Sequence, residues 1–272
     1  MGLPRRHPLG RHVPASPAAV TRPGLQRRLP RRVLDAALFY VGLALFGIIC
    51  LLWSLPAGGL HLVLPRRLGG PLGQWGISTG FRLYLGIMRA LGQFELDLGA
   101  LDALRDAGPM VIVSNHPALI DAVLVLSRLP RVVCMAKAGL WDSWFLGGGM
   151  RLAGYIRNDA PHTLTRRAIA SMRSGRQLLI FPEGTRTAPG QMLGPFRGGF
   201  VLMARGAGVP IQTVFLEGGS PYLRKGWPLL RRPETPLVLR ARLGRRFEVT
   251  GATRAFQDML HAYMLGELAQ SR

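Results

Sequence analysis

Carboxylates are scarce in this chain of 272 residues: 14 Asp and Glu stand against 35 Lys and Arg, a formal net charge of +21. Lysine is scarcer still, since Lys137 and Lys225 are the only two, so nearly all the positive charge is guanidinium. Cysteine is limited to Cys50 and Cys134, both in apolar surroundings. That excludes a disulfide framework and the paired spacings of zinc or iron–sulfur sites; buried, inert thiols are expected instead. The arginines are not interleaved with aromatic residues and no recognition helix stands out, so no nucleic-acid partner is expected. The charge then points to anionic lipid or to an acidic partner.

Long hydrophobic runs are also few. Residues 1–32 are rich in Pro and Arg, lack any helical or strand period, and are expected to form a disordered basic tail. The one long run follows, Val33 to Leu55, broken by Asp35 near its start. Ala36 to Trp53 alone carries no charge over a length sufficient to cross a hydrocarbon core as a helix. The charged stretch before it is too long for a secretory leader and Pro56-Ala57-Gly58-Gly59 is a poor cleavage site, so a retained membrane anchor is expected. Arginines flank both ends, Arg27 to Arg32 before and Arg66 and Arg67 after. That pattern fits a re-entrant hairpin turning at Pro56–Gly59; the alternative is a single span. Trp75 to Leu91 has apolar residues near helical spacing and reads as an amphipathic helix, at a membrane interface or packed on the domain. Residues 33–92 are therefore expected to anchor, and residues 93–272 to form the folded domain.

That domain is expected to be α/β, with a mostly parallel central sheet flanked by helices. Phe94 to Leu98 alternates like an edge strand. From Met110 onward, strand-like and helix-like stretches alternate: Met110–Asn115, a helix from Ala118 to Leu129, Val132–Met135, a helical region over Leu140–Leu152, a short strand at Tyr155-Ile156, a helix from His162 to Arg173, Gln177–Phe181, a helix from Phe196 to Arg205, Val209–Leu216 and Leu237–Ala241. In open sheets of this kind ligands gather beyond the carboxyl ends of the strands.

Two such ends carry chemistry. Ile112-Val113-Ser114-Asn115 runs into His116-Pro117, with Asp121 five positions after the histidine. Helical positions five apart point about 140° away from one another. His116 and Asp121 can therefore meet only if the histidine lies outside the helix and folds back over its first turn, which Pro117 favours. So placed, the carboxylate grips one ring nitrogen and the other is left to take a proton from a hydroxyl. The second end, Leu178 to Phe181, runs into Pro182-Glu183-Gly184-Thr185-Arg186, one acid and one arginine on a tight turn.

Together, Asn115-His116-Pro117 through Asp121 and Phe181-Pro182-Glu183-Gly184-Thr185-Arg186 resemble the first and third motifs of the glycerolipid acyltransferases, the family typified by bacterial 1-acylglycerol-3-phosphate acyltransferase. The likeness covers roughly Tyr84 to Val249. It implies an O-acyltransferase that moves a fatty acyl group from a thioester directly to a lipid hydroxyl, with His116 as general base, Asp121 fixing its tautomer, and no acyl-enzyme. It also implies Arg186, with Glu183, Gly184 and Thr185, at the acceptor phosphate. Lys137 matches a basic position near that site. Gly154-Tyr155-Ile156-Arg157-Asn158-Asp159 resembles the second motif with its arginine early, which makes Arg157 a further phosphate candidate. Val209-Pro210-Ile211 opens the fourth motif, but Thr213 stands where a second proline is usual.

The expected partners are a lysophospholipid acceptor, membrane lipids, and an acyl carrier protein or acyl-CoA donor. The thioester is a co-substrate, and neither cofactor nor metal is expected. The expected location is the inner (cytoplasmic) membrane with the catalytic domain on the cytoplasmic side. Three alternatives remain: a thioesterase or lipid hydrolase using the same His–Asp pair on water, an acyltransferase for a specialised non-phosphoglyceride lipid, and a non-enzymatic module that binds and reshapes anionic membranes.

Overall fold

A computed structural model describes residues 29–158 and 161–271. Most of the expected basic tail, and Asp159 of the second-motif stretch, lie outside the described residues. From Leu29 the backbone is already helical.

Helix α1 (Leu29–Val63) and helix α2 (Arg66–Ala90) form a hairpin. It does not turn at Pro56–Gly59: α1 continues through those residues and the chain reverses at Leu64-Pro65. The small residues there serve close packing. Ala57 is fully buried, Gly58 lies against the backbone of Gly148, and a Cβ on Gly148 would come within 2.0 Å of the Ser54 carbonyl oxygen. Pro65 makes the break, because it lacks the N–H to continue α1 and its fixed φ suits the residue before a new helix.

The sheet has seven strands in the order β1-β7-β6-β2-β5-β3-β4. These are β1 (Phe94–Asp97), β2 (Val111–Ser114), β3 (Val132–Lys137), β4 (Ile156–Asn158), β5 (Gln177–Ile180), β6 (Ile211–Gly218) and β7 (Leu237–Phe247). Strands β4, β3, β5, β2 and β6 run parallel; β7 is antiparallel to β6 and pairs with β1, which does lie at an edge. Central β2 and β5 are buried along their whole length, which is why they read as unbroken apolar runs. Helices α3 (Asp121–Arg128), α4 (Ala138–Trp141), α5 (Gly147–Leu152), α6 (Pro161–Arg173), α7 (Gly199–Ala207) and α8 (Thr253–Gln270) complete the fold. The hairpin shares the domain's core: Phe39, Tyr84, Leu85 and Met88 belong to the same buried cluster as the central strands. Cys134, on β3, is buried, and desolvation pushes its thiol up to about 12, the value of an inert group.

Two boundaries differ from the sequence reading where it matters. Helix α3 starts at Asp121, not Ala118, so Pro117 stands in the connecting loop and not in a helix. The helical region over Leu140–Leu152 is two short helices separated by residues 142–146, with Trp144 largely exposed.

Candidate active site

Strands β2 and β5 are neighbours in parallel register, Val113 opposite Ile180. Their carboxyl ends therefore deliver Ser114-Asn115-His116 and Phe181-Pro182-Glu183 side by side, although 67 residues separate His116 from Glu183. On the other flank of β2, the Asn115 side chain continues the ladder towards β6. Its Nδ2 donates to Leu216 O at 2.9 Å and its Oδ1 accepts from Leu216 N at 2.8 Å. This buried two-way bond fixes the point where the backbone leaves the sheet.

Because α3 begins only at Asp121, His116 is free to fold back. Its Nδ1 lies 2.8 Å from Asp121 Oδ2, which also accepts the Ala118 N–H at 2.7 Å. A carboxylate on Nδ1 selects the tautomer with its proton there and leaves Nε2 as the unprotonated nitrogen. The imidazole stacks on the Phe181 ring, centroids 4.1 Å apart and planes 20° from parallel. Asp121 is 2% exposed, and desolvation raises its pKa above the usual carboxylate value; the hydrogen bond and charge of His116 and the Ala118 N–H pull down, while Glu183 adds to the rise.

Glu183 holds the loops together. One carboxylate oxygen accepts from His116 N at 3.0 Å and from the Thr187 hydroxyl at 3.0 Å, and the other accepts from Gly194 N at 2.7 Å. Thr187 N donates to His116 O at 2.8 Å, closing the pair of loops. Gly184 sits left-handed at φ +67, and a Cβ there would press on Arg197 at 3.0 Å, so the turn needs glycine on both counts.

Arg186 does not pair with Glu183. Its Nη1 donates to Leu223 O at 2.9 Å and to Arg224 O at 3.1 Å. Leu223 is left-handed at φ 59, a conformation that costs about 1–2 kcal/mol for a residue with a Cβ. Its carbonyl receives both Arg186 and the Leu119 N–H, which holds this loop over the histidine turn.

A cavity of about 630 Å³ opens at His116. Its walls are apolar where α1 and α2 face the domain (Ile49, Trp53, Ile77, Phe81) and along Met135, Phe200 and Met203. Cations also line it: Lys137, Arg186, Arg197 and Lys225, with no carboxylate among the described residues of the wall. Of the expected site residues, His116, Lys137, Gly184, Thr185 and Arg186 thus share one cavity. Asp121 and Glu183 stand behind the wall, gripping His116. Arg157 is not on the wall: it pairs with Asp142 at 3.0 Å, and its neighbour Asn158 lines the cavity. Ser114 is no nucleophile, since it is fully buried with its hydroxyl donating to Asn115 O.

Sequence reasoning missed Asn115 as a clamp, Phe181 as the stacking partner, and Arg197 and Lys225 as cavity cations. Lys225 carried the signal that singled out Lys137, being the only other lysine. Arg197 carried none among so many arginines.

A family model described as Acyltransferase matches residues 96–217, which contain both loops. A chloroplastic 1-acyl-sn-glycerol-3-phosphate acyltransferase of Brassica napus is 29% identical over 139 residues, 49% of this chain and 40% of that protein. A lyso-ornithine lipid O-acyltransferase of Pseudomonas aeruginosa is 35% identical over 130 residues, 46% of this chain and 48% of that protein. The chain thus spans less than half the length of either relative. Among solved structures, the 1-acyl-sn-glycerophosphate acyltransferase PlsC of Thermotoga maritima superposes with a TM-score of 0.62 at 17% identity, covering 88% of this chain and 97% of that one, which establishes the common fold. The matched region carries the paired loops on that fold, so this region of the chain is similar to the acyltransferases in both motif and architecture.

Proposed function

We propose that this protein is a membrane-associated O-acyltransferase that moves a fatty acyl group from an acyl thioester to the hydroxyl of a lysophospholipid such as 1-acylglycerol-3-phosphate. The observation that carries the reading is the 2.8 Å bond from His116 Nδ1 to Asp121, with the same imidazole on the wall of a cavity both apolar and cationic. His116 Nε2 takes the proton as the acceptor oxygen attacks the thioester carbonyl. The C–O bond forms, the C–S bond breaks, and the proton passes from the imidazolium to the departing thiolate. Asp121 stabilises the imidazolium between those steps. The apolar wall suits an acyl chain, and Arg186 and Lys137 suit the acceptor phosphate. The thioester is already activated, so no cofactor is invoked. The outer apolar face of α1 supports membrane association, and we place the catalytic domain on the cytoplasmic side of the inner membrane, where acyl thioesters are made.

The test is purified protein with lysophosphatidic acid and a long-chain acyl thioester, read by thiol release and by mass spectrometry of the lipid product. The expected result is phosphatidic acid in step with thiol, and His116→Ala lowering turnover by about 10²–10⁴. Wild-type rates in that variant would end the proposal, and thiol release with free fatty acid as the only lipid product would replace it by hydrolysis. A second reading, transfer to a phosphate-free lyso-lipid, draws on the 35% identity to the lyso-ornithine lipid enzyme, a level that a 1-acyl-sn-glycerol-3-phosphate acyltransferase of Limnanthes alba equals. It predicts that the same acceptor screen ranks lyso-ornithine lipid above lysophosphatidic acid.

A further inference from the structure

Between β5 and α7, residues 194–197 have no regular secondary structure, so no ladder of their own fixes them. They nevertheless carry two of the bonds that shape the site. Gly194 N donates to Glu183 Oε2 at 2.7 Å, and Arg197 N donates to the Pro182 carbonyl at 2.7 Å. The Arg197 side chain also lines the cavity at His116.

Helix α8 holds this stretch from behind. Gln257 Nε2 donates to Phe196 O at 2.7 Å. One helical turn further on, His261 Nε2 lies 3.1 Å from Gly194 O. A carbonyl oxygen only accepts, so His261 carries a proton on Nε2. Its ring meets Phe196 edge-on, centroids 4.8 Å apart. Residues four apart share one face of a helix, so a single face of α8 grips two carbonyls of the loop. Glycine makes room on both sides. A Cβ on Gly194 would stand 2.7 Å from Glu183 Oε2, and one on Gly198 would overlap Gln257 Oε1. Gly194 is thus held backward by His261 through its carbonyl and forward by Glu183 through its N–H, and Glu183 in turn accepts from His116 N at 3.0 Å.

We propose that His261 is a positioning residue of the transfer reaction, acting on His116 through Gly194 and Glu183. The inference rests on the acyl-transfer reading and extends the site to a helix that lies beyond the matched residues 96–217. Asp121 orients the imidazole, whereas Glu183 fixes the backbone from which the ring hangs. Both are needed to place Nε2, since a displacement of about 1 Å costs up to about 10²-fold in rate. Without the His261 bond, Gly194 shifts, Glu183 loses the donor on its second oxygen, and the turn under His116 loosens.

The test compares His261→Leu, His261→Gln and Leu260→Val in the full chain in detergent, with lysophosphatidic acid and a long-chain acyl thioester. His261→Leu is expected to lower kcat about tenfold or more, with both KM values within about twofold. His261→Gln keeps an N–H donor and should recover at least about half of the wild-type kcat. Leu260→Val removes one methylene from a fully buried side chain of α8 but no hydrogen bond. It should lower the thermal midpoint and leave kcat within about twofold. In a Glu183→Gln background, His261→Leu should cost less than about twofold, because the carboxylate it steadies is already gone. A further readout needs no turnover: modification of His116 by diethyl pyrocarbonate, followed by peptide mass spectrometry with His61 of α1 as reference. It should run at least threefold faster in His261→Leu and at the wild-type rate in His261→Gln. An unchanged kcat or an unchanged His116 modification rate in His261→Leu overturns the proposal. So does an equal loss of kcat in Leu260→Val or His261→Gln, or a full loss in the Glu183→Gln background. If the wild type acylates no lysophospholipid, the acyl-transfer reading fails, and the His116 modification rate still decides whether α8 positions the imidazole.

Discussion

At Asp121 burial and hydrogen bonding pull in opposite directions, and burial prevails: the carboxyl titrates above its ordinary value. A carboxyl raised in the folded state favours folding while protonated. That contribution is complete below the unfolded value of about 4 and is lost as pH rises through the raised value. Ionised Asp121 thus counts against stability at neutral pH. Asp121→Asn is expected to keep or raise the thermal midpoint at pH 7 while transfer falls at least tenfold, because an amide does not stabilise the imidazolium. A midpoint lower by more than about 4 °C, roughly 1 kcal/mol or more for a chain of this size, would reverse that account. Glu183 should behave in the opposite way. Its two oxygens satisfy His116 N, the Thr187 hydroxyl and Gly194 N, so Glu183→Ala strands buried donors at about 1–3 kcal/mol each. Denaturant unfolding should show a loss of roughly 3 kcal/mol, with activity falling because the turn under His116 loosens. The sequence announced both acids, since Asp121 follows the histidine beyond the end of β2 and Glu183 stands just beyond the end of β5. The grip of Asp121 on His116 was legible in that spacing, but what Glu183 holds was not, because its partners lie 4 to 67 residues away.

At the scale of elements, the existence of most was legible and their boundaries were not. Apolar runs marked β2, β5 and β6 because parallel central strands are covered on both faces. The start of α3 was misplaced because Pro117 suits a first helical turn equally well as a loop; the Asp121 bonds to His116 and Ala118 hold residues 117–120 out of the helix. Helix α8 was overlooked, although Phe256, Leu260, Met264 and Leu268 form its buried stripe at steps of four. The hairpin turn was misplaced for a different reason: Gly-rich and Pro-containing stretches signal turns in water, whereas here they let helices touch. Gly148 is the clearest case, since the Ser54 carbonyl occupies the space of a Cβ and the Ser54 hydroxyl accepts from Gly149 N at 3.2 Å. Gly148→Ala is expected to cost about 1–3 kcal/mol and to loosen α1 from α5. Faster proteolysis within residues 29–63, with the α/β core intact, is the measurement; an unchanged digestion pattern would mean the contact tolerates the methyl group.

For the whole molecule, the position of α1 decides what form the proposed membrane association takes. The helix has 35 residues, about 52 Å at 1.5 Å per residue, well over the ~30 Å of a hydrocarbon core. It touches the domain along much of that length: Phe39 meets Tyr222 at 5.7 Å, Tyr40 donates to Leu230 O, Ser54 meets Gly149, and Gly58 faces Gly148. Phe39 to Gly58 is about 29 Å of helix, nearly the full hydrocarbon thickness. A span across the bilayer would therefore drag the α4–α5 region and the Leu230 loop into the lipid. The outward face instead carries Val41, Ile48, Leu55 and Leu62, seven residues apart, with Leu52 between them, all more than half exposed. One apolar stripe on a helix backed by a domain suits partial burial in a single leaflet. The expectation is that both ends of α1 lie on the same side. Val33→Cys and Val63→Cys, each made singly with Cys50 and Cys134 replaced by Ser, put a thiol at well-exposed positions. A membrane-impermeant maleimide applied to sealed vesicles of one orientation should label both or neither. Labelling of one alone would place the ends on opposite faces, make α1 a true span, and require its contacts with α5 and the Leu230 loop to open in the membrane.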